Sequence, residues 1–377
     1  MPVVQPLDES SDLVWIDYAQ FGERFVAHAV TAARIESAIA GMADHSVTVG
    51  PVSLGPVGRA GVLAQGSVGK PRVFRIGPHV TFEVTVPVSL TLKVLLGGKK
   101  LRLEARVEID LTLHARTADP LLIVIDIPRI QRRDISFVLR AQAVESAWEW
   151  LLDPIAGVMQ REVASRVNAM LAEPKTRRAL VFDVEALIDD TRSAHRDNAQ
   201  FDWIGYGEFG RRFFARIVTR SRVYQAVAGL EGRSIEVGPL RTGPRSSAVV
   251  TVRGAVLTPR LADRAAPTVT FDLTLPVILD ITVDVMKANH YRAHIEVPLA
   301  LVARAAEPLL VVIDVPPPDP ADIRMEFTAH GVRAAVLGAL ARIKKQVPEQ
   351  VAAVVRQELA DASMRTIDVA ARIDGAA

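Results

Sequence analysis

The chain has 377 residues, of which 49% are hydrophobic and 23% are charged, and its formal net charge is +2. This is the composition of a folded protein long enough for two or three domains, and it excludes an intrinsically disordered chain. Because the chain contains no cysteine, thiolate metal sites, iron–sulfur clusters, cysteine nucleophiles and disulfides are excluded as well.

The N-terminal residues 1–11 lack the basic and apolar regions of a secretory signal. The longest apolar runs, such as residues 121–125 and 309–313, are far shorter than the roughly 20 residues that a membrane-spanning helix needs. We therefore expect a cytoplasmic protein without a transmembrane segment, and peripheral contact with a membrane stays open. The high content of Ala, Arg and Val relative to Lys is typical of a bacterial protein encoded by a GC-rich genome.

Segments of the chain repeat at a nearly constant offset. Residues 15–22 (WIDYAQFG) recur as residues 203–210 (WIGYGEFG), and residues 49–51 (VGP) recur as residues 237–239, in both cases 188 positions later. The offset persists over most of each copy with a one-residue slip between the strands, which indicates a tandem duplication.

A polar stretch at residues 190–199 separates the two copies. We therefore predict one domain over residues 1–190 and a second over residues 200–377. Each copy opens with a helix, because Phe25 in the first copy and Phe213 in the second lie in apolar patterns of helical period.

Strict alternation of apolar and polar residues follows over residues 80–94. A Gly-Gly-Lys-Lys turn then reverses the chain, and residues 101–113 alternate in the same way, which predicts a long antiparallel hairpin with one buried face. Pro87 and Pro276 lie in the middle of equivalent strands, where they predict a bend or bulge and hence a curved sheet. The polar positions alternate in charge instead of forming a basic stripe, so no nucleic-acid partner is expected.

Two further strands, at residues 121–127 and 135–141, complete the meander of the first copy, and an apolar stripe of helical period then predicts a long closing helix. The second copy repeats this order. The predicted fold class is therefore α+β, with two tandem repeats. Each is a long curved antiparallel β-meander wrapped against an N-terminal helix and a long C-terminal helix.

The sequence contains no nucleophile elbow, no phosphate-binding loop and no dinucleotide-binding glycine triplet. His290 and His294 have the spacing of a helical metal pair, but on a predicted strand they would lie about 13 Å apart, so we interpret them as solvent-facing residues. Asp126 and Asp314 occupy equivalent places in the two copies, and we interpret them as strand-ending acids that hydrogen-bond to the backbone. Neither a metal nor a cofactor is expected.

Each copy offers two long apolar strand faces and only two helices to cover them, so incomplete coverage would leave an elongated apolar cavity. The side chains expected to line it are aromatic residues of the helices and strands with their aliphatic neighbours. They are Phe25, Phe82, Val84, Leu103 and Trp148 in the first copy and Phe213, Phe271 and Leu273 in the second. Ordinary core packing is the competing interpretation for each of them.

The element order, the strand length and the duplication resemble the tubular lipid-binding superfamily, in which a strongly curved antiparallel sheet wraps a long helix. The resemblance covers essentially the whole chain. It implies the carriage of lipid-like molecules along an apolar tube. The chain differs from secreted members in its lack of a predicted signal and of disulfides, which favours an intracellular role.

Three functions are compatible with these observations. The first is a binder or carrier of an apolar, lipid-like small molecule. The second is a cofactor-independent cyclase or pericyclase that folds a polyketide or polyene substrate in the cavity, where proximity alone lowers the barrier. The third is a structural or interaction protein whose apolar faces are filled by its own side chains or by a second chain.

Overall fold

The computed structural model describes residues 13–43, 47–53, 60–77, 79–96, 99–140, 152–189, 191, 200–242, 248–284, 288–328, 334–358 and 365–376. It confirms the predicted α+β class, because each repeat builds a curled antiparallel sheet with helices against it. Within these residues, no helix combines the length and the apolar character needed to cross a bilayer.

The described elements of the first repeat follow one another along the chain. They are β1 Trp15–Ile16, α1 Tyr18–Ala29, α2 Ala32–Ala43, β2 Val47–Ser53, β3 Ala60–Val68, β4 Arg72–Ile76, β5 Thr81–Leu96, β6 Lys99–Ala118, β7 Leu122–Asp126, β8 Ile135–Arg140, α3 Leu152–Ala172, α4 Pro174–Ala179, β9 Val181–Asp183 and α5 Val184–Ile188.

The second repeat has the same order of elements. They are β10 Trp203–Ile204, α6 Tyr206–Ile217, α7 Arg220–Ala228, β11 Ser234–Thr242, β12 Ala248–Val256, β13 Arg260–Arg264, β14 Thr270–Asp284, β15 Ala288–Ala306, β16 Leu310–Asp314, β17 Arg324–Thr328, α8 Ala334–Glu358, β18 Thr366–Asp368 and α9 Val369–Ala376.

The opening helix predicted for each repeat is in fact two helices. The break has a local cause, because a threonine hydroxyl accepts a backbone N–H in the first turn of the second helix, which is the geometry of an N-cap. Thr31 accepts from the Arg34 amide at 3.3 Å at the start of α2, and Thr219 accepts from the Arg222 amide at 3.4 Å at the start of α7.

Two compact units divide the chain. Residues 22–209 form the first, and residues 210–375 together with the chain up to Phe21 form the second. We call them the 22–209 unit and the 210–375 unit. Each compact unit therefore differs from the corresponding sequence copy in its first residues. The domain boundaries 1–190 and 200–377 stay a prediction of where each sequence copy begins and ends.

The central hairpin of the 22–209 unit pairs β5 with β6 without a break in register, from Thr81 opposite His114 to Leu96 opposite Lys99. Strand β6 has 20 residues, and its far edge accommodates both β7 and β8 in succession. The predicted meander is therefore wrong in this detail, because β8 returns to β6 instead of pairing with β7. The 210–375 unit repeats the arrangement around β14 and β15.

Of the bend or bulge predicted at the strand prolines, a bulge does not occur in the pairing of β5 with β6, where Pro87 lies directly opposite Glu108. What changes at Pro87 is the neighbour on the other edge of β5, which is β4 before the proline and β3 after it. A proline has no N–H to donate, so it fits the point at which one neighbouring strand ends and the next begins. Pro276 has the same place between β13 and β12.

A bulge does occur in strand β2, where the pairing with β3 shifts between Val49 and Val52. Gly50 has a φ of 100° there, and a Cβ on it would lie 2.6 Å from the carbonyl oxygen of Val62. Only glycine fits this conformation and this space.

The opening strand of each unit comes from the other sequence copy. In the 210–375 unit, Trp15 of β1 pairs with Ala306 of β15, and in the 22–209 unit, Trp203 of β10 pairs with Ala118 of β6. The amide of Glu307 donates to the carbonyl of Val14 at 2.9 Å. The two copies have thus exchanged their opening segments.

The exchanged tryptophans explain the repeated aspartates. The Arg116 guanidinium lies 3.8 Å from the ring centroid of Trp203 and 3.2 Å from the Asp126 carboxylate, and Arg304 makes the same contacts with Trp15 and Asp314 at 3.8 and 3.0 Å. Asp126 and Asp314 therefore end their strands as predicted, but these contacts are made to an arginine side chain. The guanidinium supplies both a cation–π contact and a charged hydrogen bond.

Candidate functional site

An apolar cavity of about 490 Å³ lies in the 22–209 unit, between one face of the sheet and the helices α2, α3 and α4. Its lining includes fully buried side chains and also half-exposed ones such as Met170 and Phe182, so the cavity is open to solvent at these residues. The lining side chains are overwhelmingly aliphatic. They include Val30, Ile35, Val49, Val86, Val88, Leu90, Val107, Ile109, Leu111, Leu113, Ile125, Val163, Val167, Met170 and Phe182.

The floor of the cavity is the inward face of β5 and β6. Successive residues of a strand point to opposite faces, so every second side chain contributes. Val86 lies opposite Ile109 and Val88 lies opposite Val107, and all four line the cavity. The floor follows directly from the alternation in the sequence.

The walls of the cavity are formed by helices α2 and α3. Ile35 and Ile39 on α2 and Val163 and Val167 on α3 lie one turn apart on their helices, and all four line the cavity. The sequence contained this signal as apolar residues at helical spacing, but spacing alone does not distinguish a wall from a filled core.

Two amide side chains of helix α3 hydrogen-bond to the segment between β7 and β8 and to the start of β8. Asn168 accepts the Ile130 N–H at 3.0 Å through Oδ1 and donates to the Ile130 carbonyl at 2.8 Å through Nδ2. Nearer the N-terminus, Gln160 donates to the Ile135 carbonyl at 2.9 Å. These contacts fix where the helix lies above the floor.

Polar side chains contribute a minority of the lining. Arg34, Thr48, Arg166, Glu173 and Thr176 are the polar residues among those that line it. Arg34 donates to the Ala29 carbonyl at 2.9 Å, and both Arg166 and Glu173 are exposed. Some of the polar lining side chains are therefore exposed to solvent, whereas the side chains of the floor are aliphatic.

Four of the five site residues predicted in the first repeat, Phe25, Phe82, Val84 and Leu103, are buried in the 22–209 unit. Phe82 and Val84 lie on the same face of β5 as the floor, opposite the lining residues Leu113 and Leu111. Leu103 is on the floor face of β6, and Phe25 is packed against Phe209 at 5.5 Å between ring centroids. None of these four is part of the cavity lining, and a role in ligand contact stays a prediction.

The predicted residues of the second repeat are buried in the 210–375 unit. Phe271 and Leu273 are opposite Leu301 and Leu299 on the inward face of the sheet. Phe213 packs against Phe21 at 5.3 Å. Phe213, Phe271 and Leu273 are not part of the lining of the cavity in the 22–209 unit, and their role in ligand contact also stays a prediction. Trp148 lies outside the described residues.

Two tyrosine hydroxyls anchor the exchanged segments. Tyr18 donates to the Ala303 carbonyl at 2.7 Å and accepts the Val269 amide at 3.3 Å, while Tyr206 donates to the Ala115 carbonyl at 3.2 Å. Burial raises the pKa of Tyr18 to about 12, partly opposed by the hydrogen bond from Val269, and burial also raises the pKa of Tyr206. Neither tyrosine lines the cavity, and their hydrogen bonds stabilise the pairing of the exchanged segments with the sheets.

His290 and His294 are both exposed on β15, as their interpretation as strand residues predicted. The Nδ1 atom of His290 lies 3.2 Å from the Thr282 hydroxyl on the neighbouring strand. Within the described part of the chain, no group of three or more His, Asp or Glu side chains has the arrangement of a metal site.

No protein-family model matches the chain, and no curated protein matches its sequence. Among solved structures, the crystal structure of lipopolysaccharide binding protein has a TM-score of 0.31 and 11% identity, with 90% of each chain covered. P47 of Clostridium botulinum E1 has a TM-score of 0.29 and 8% identity, with 88% of this chain and 87% of that chain covered. P47 from Clostridium botulinum A2 has a TM-score of 0.30 and 9% identity, with 89% and 87% covered. Likeness at this level carries no argument about ligand or activity.

Proposed function

We propose that the 22–209 unit binds the hydrocarbon part of a lipid-like molecule in its cavity, and that the protein is a binder or carrier of such molecules. The observation that carries the proposal is the lining, which is aliphatic on the floor of β5 and β6 and predominantly aliphatic on both helical walls. A volume of about 490 Å³ falls within the roughly 300–1,000 Å³ of small-molecule pockets.

Water is a poor occupant of such a space. A stable buried water needs about two to four polar partners, which the aliphatic floor around Val88 and Ile109 does not offer. A hydrocarbon chain needs none, and each Å² of apolar surface that it removes from water contributes about 25 cal/mol. The polar residues Arg166 and Glu173 are exposed, so a polar head group fits at the opening better than in the interior.

The proposal agrees with the carriage implied by the resemblance to the tubular lipid-binding superfamily. The cavity in the 22–209 unit argues against the form of the third function in which the protein's own side chains fill the interior of this unit. The cyclase hypothesis stays a prediction, and no feature of the cavity specifically favours it.

The proposal is tested by filling the cavity from its floor. Val88→Phe places an aromatic ring into the open space, and we expect uptake of the apolar fluorescent probe N-phenyl-1-naphthylamine to weaken by about tenfold or more. The matched control is Val277→Phe, because Val277 follows Pro276 as Val88 follows Pro87 and is equally buried, but it lies in the 210–375 unit.

The control should bind the probe as the wild type does. Overpacking a filled site costs about 1–3 kcal/mol, whereas an open cavity accommodates the added ring, so thermal unfolding of both variants is measured alongside. Unchanged probe binding by a folded Val88→Phe protein would contradict the proposal, as would an absence of probe binding by the wild type.

A further inference from the structure

Large apolar side chains are exposed where the cavity meets solvent. Met170 near the end of α3 and Phe182 on β9 both line the cavity, yet they are 46% and 45% exposed. Leu187, on the helix α5 that directly follows β9, is 46% exposed. Single exposed apolar residues are common on protein surfaces. Here two of the three belong to the lining of an apolar cavity, so the apolar surface continues from the interior to the outside.

Basic side chains lie at the same opening. Helix α4 borders the cavity, because Thr176 and Ala179 are part of the lining. Lys175, directly before Thr176, and Arg177 and Arg178, between Thr176 and Ala179, are exposed. At about 100° per residue, Arg177 and Arg178 point away from the side of the helix that carries Thr176 and Ala179, whereas Lys175 lies one turn from Ala179 at the edge of the cavity.

This charge belongs to the first repeat alone. Between residues 166 and 182 there are four basic residues and one acidic residue. When the two repeats are aligned on strands β9 and β18, Lys175 corresponds to Ala360 and Arg177 to Ala362. The shared scaffold therefore does not require these cations, which occur in the repeat that contains the described cavity.

We infer that the opening formed by α4, β9 and the end of α3 docks on an anionic membrane surface. This inference rests on the proposed function. Exposed apolar side chains enter the boundary between head groups and acyl chains, and neighbouring Lys and Arg side chains are attracted to anionic lipids. With Met170 and Phe182 at the bilayer, a lipid-like ligand passes between membrane and cavity without crossing water.

Vesicle co-sedimentation tests this inference. The full chain should sediment with vesicles of phosphatidylcholine mixed with phosphatidylglycerol, it should not sediment with phosphatidylcholine alone, and added salt should weaken binding. The double variant Lys175→Ala with Arg177→Ala introduces the residues that the second repeat has at these positions. It should weaken partitioning of the protein onto the anionic vesicles by about tenfold or more. Leu187→Ser should also weaken it.

The matched control is Lys100→Ala with Arg102→Ala, which removes the same charge from the polar face of β6 and should leave vesicle binding near the wild-type level. Uptake of N-phenyl-1-naphthylamine is measured on the same samples without vesicles and should be normal in every variant. Equal binding to both vesicle types, or an equal loss of vesicle binding in the two double variants, would contradict the proposed docking surface. Normal probe uptake in the same samples would leave the proposed function unaffected. Absence of probe uptake overturns the proposed function whatever the vesicles show.

Discussion

Single polar side chains fix the scaffold around an otherwise apolar interior. Tyr18 binds the backbone of Ala303 in β15 and of Val269 just before β14 through one hydroxyl, and Asn168 holds helix α3 through both polar atoms of its amide. Buried or half-buried polar groups of this kind contribute modestly when paired, and they are costly to leave unpaired. Their positions decide which apolar surfaces meet and which do not.

Tyr18→Phe should lower the free energy of unfolding by about 1–3 kcal/mol near neutral pH, because the Ala303 carbonyl and the Val269 amide lose their partner. The wild type contains a further pH dependence. Burial raises the pKa of Tyr18 to about 12 in the fold, from about 10 in the unfolded chain, so the neutral phenol is favoured by folding.

The contribution of Tyr18 is therefore complete below pH of about 10 and falls as the pH rises towards about 12. Urea unfolding at a series of alkaline pH values should show the gap between the wild type and Tyr18→Phe narrowing over this window. Tyr224→Phe, at an exposed tyrosine, is the control and should change little. A gap that widens with pH would show that the hydroxyl is not held in its neutral form.

At the scale of elements, the cavity is a floor of strands beneath walls of helices, and the sequence predicts the two with different success. Alternation over residues 80–94 and 101–113 predicts the floor, because a strand with period two has one inward face. Helical spacing marks Val163 and Val167 as inward-facing, but it does not say how far α3 lies from α2. That distance depends on contacts such as the Asn168 amide, which no local pattern specifies.

Strand β2 supplies part of the wall through Val47 and Val49, and its path depends on the bulge at Gly50. Gly50→Ala should destabilise the protein by about 1–3 kcal/mol, since the new Cβ would require a strained positive φ and would press on the Val62 carbonyl. Gly61→Ala, on the paired strand, is the control, because its nearest contact is at 3.8 Å. Chemical denaturation of both variants checks the difference, and equal stability would contradict the account of the bulge.

At the scale of the whole chain, the duplication was evident from the sequence and the exchange of opening segments was not. The motif WI-x-Y occurs at residues 15–18 and again at residues 203–206, so each copy could in principle pair with either sheet. Nothing local separates these alternatives. The choice is visible only in the strand pairs that Trp15 and Trp203 make.

Shortening the chain so that it begins at Asp17 removes β1 and should therefore affect the second repeat rather than the first. The amide of Glu307, which donates to the carbonyl of Val14, should exchange with solvent much faster. The amide of Asp119, which donates to Asp202 at 2.9 Å in the equivalent place, is the internal control and should stay protected. Faster exchange at Asp119 alone would contradict the exchange of opening segments.

The claim that the 22–209 unit holds an apolar guest is tested most directly by crystallography with a bromine-labelled fatty acid. The account predicts an anomalous bromine peak within the cavity, in contact with Val88, Ile109 and Val163. An interior that side chains fill completely, or a bromine bound only outside this lining, would contradict it.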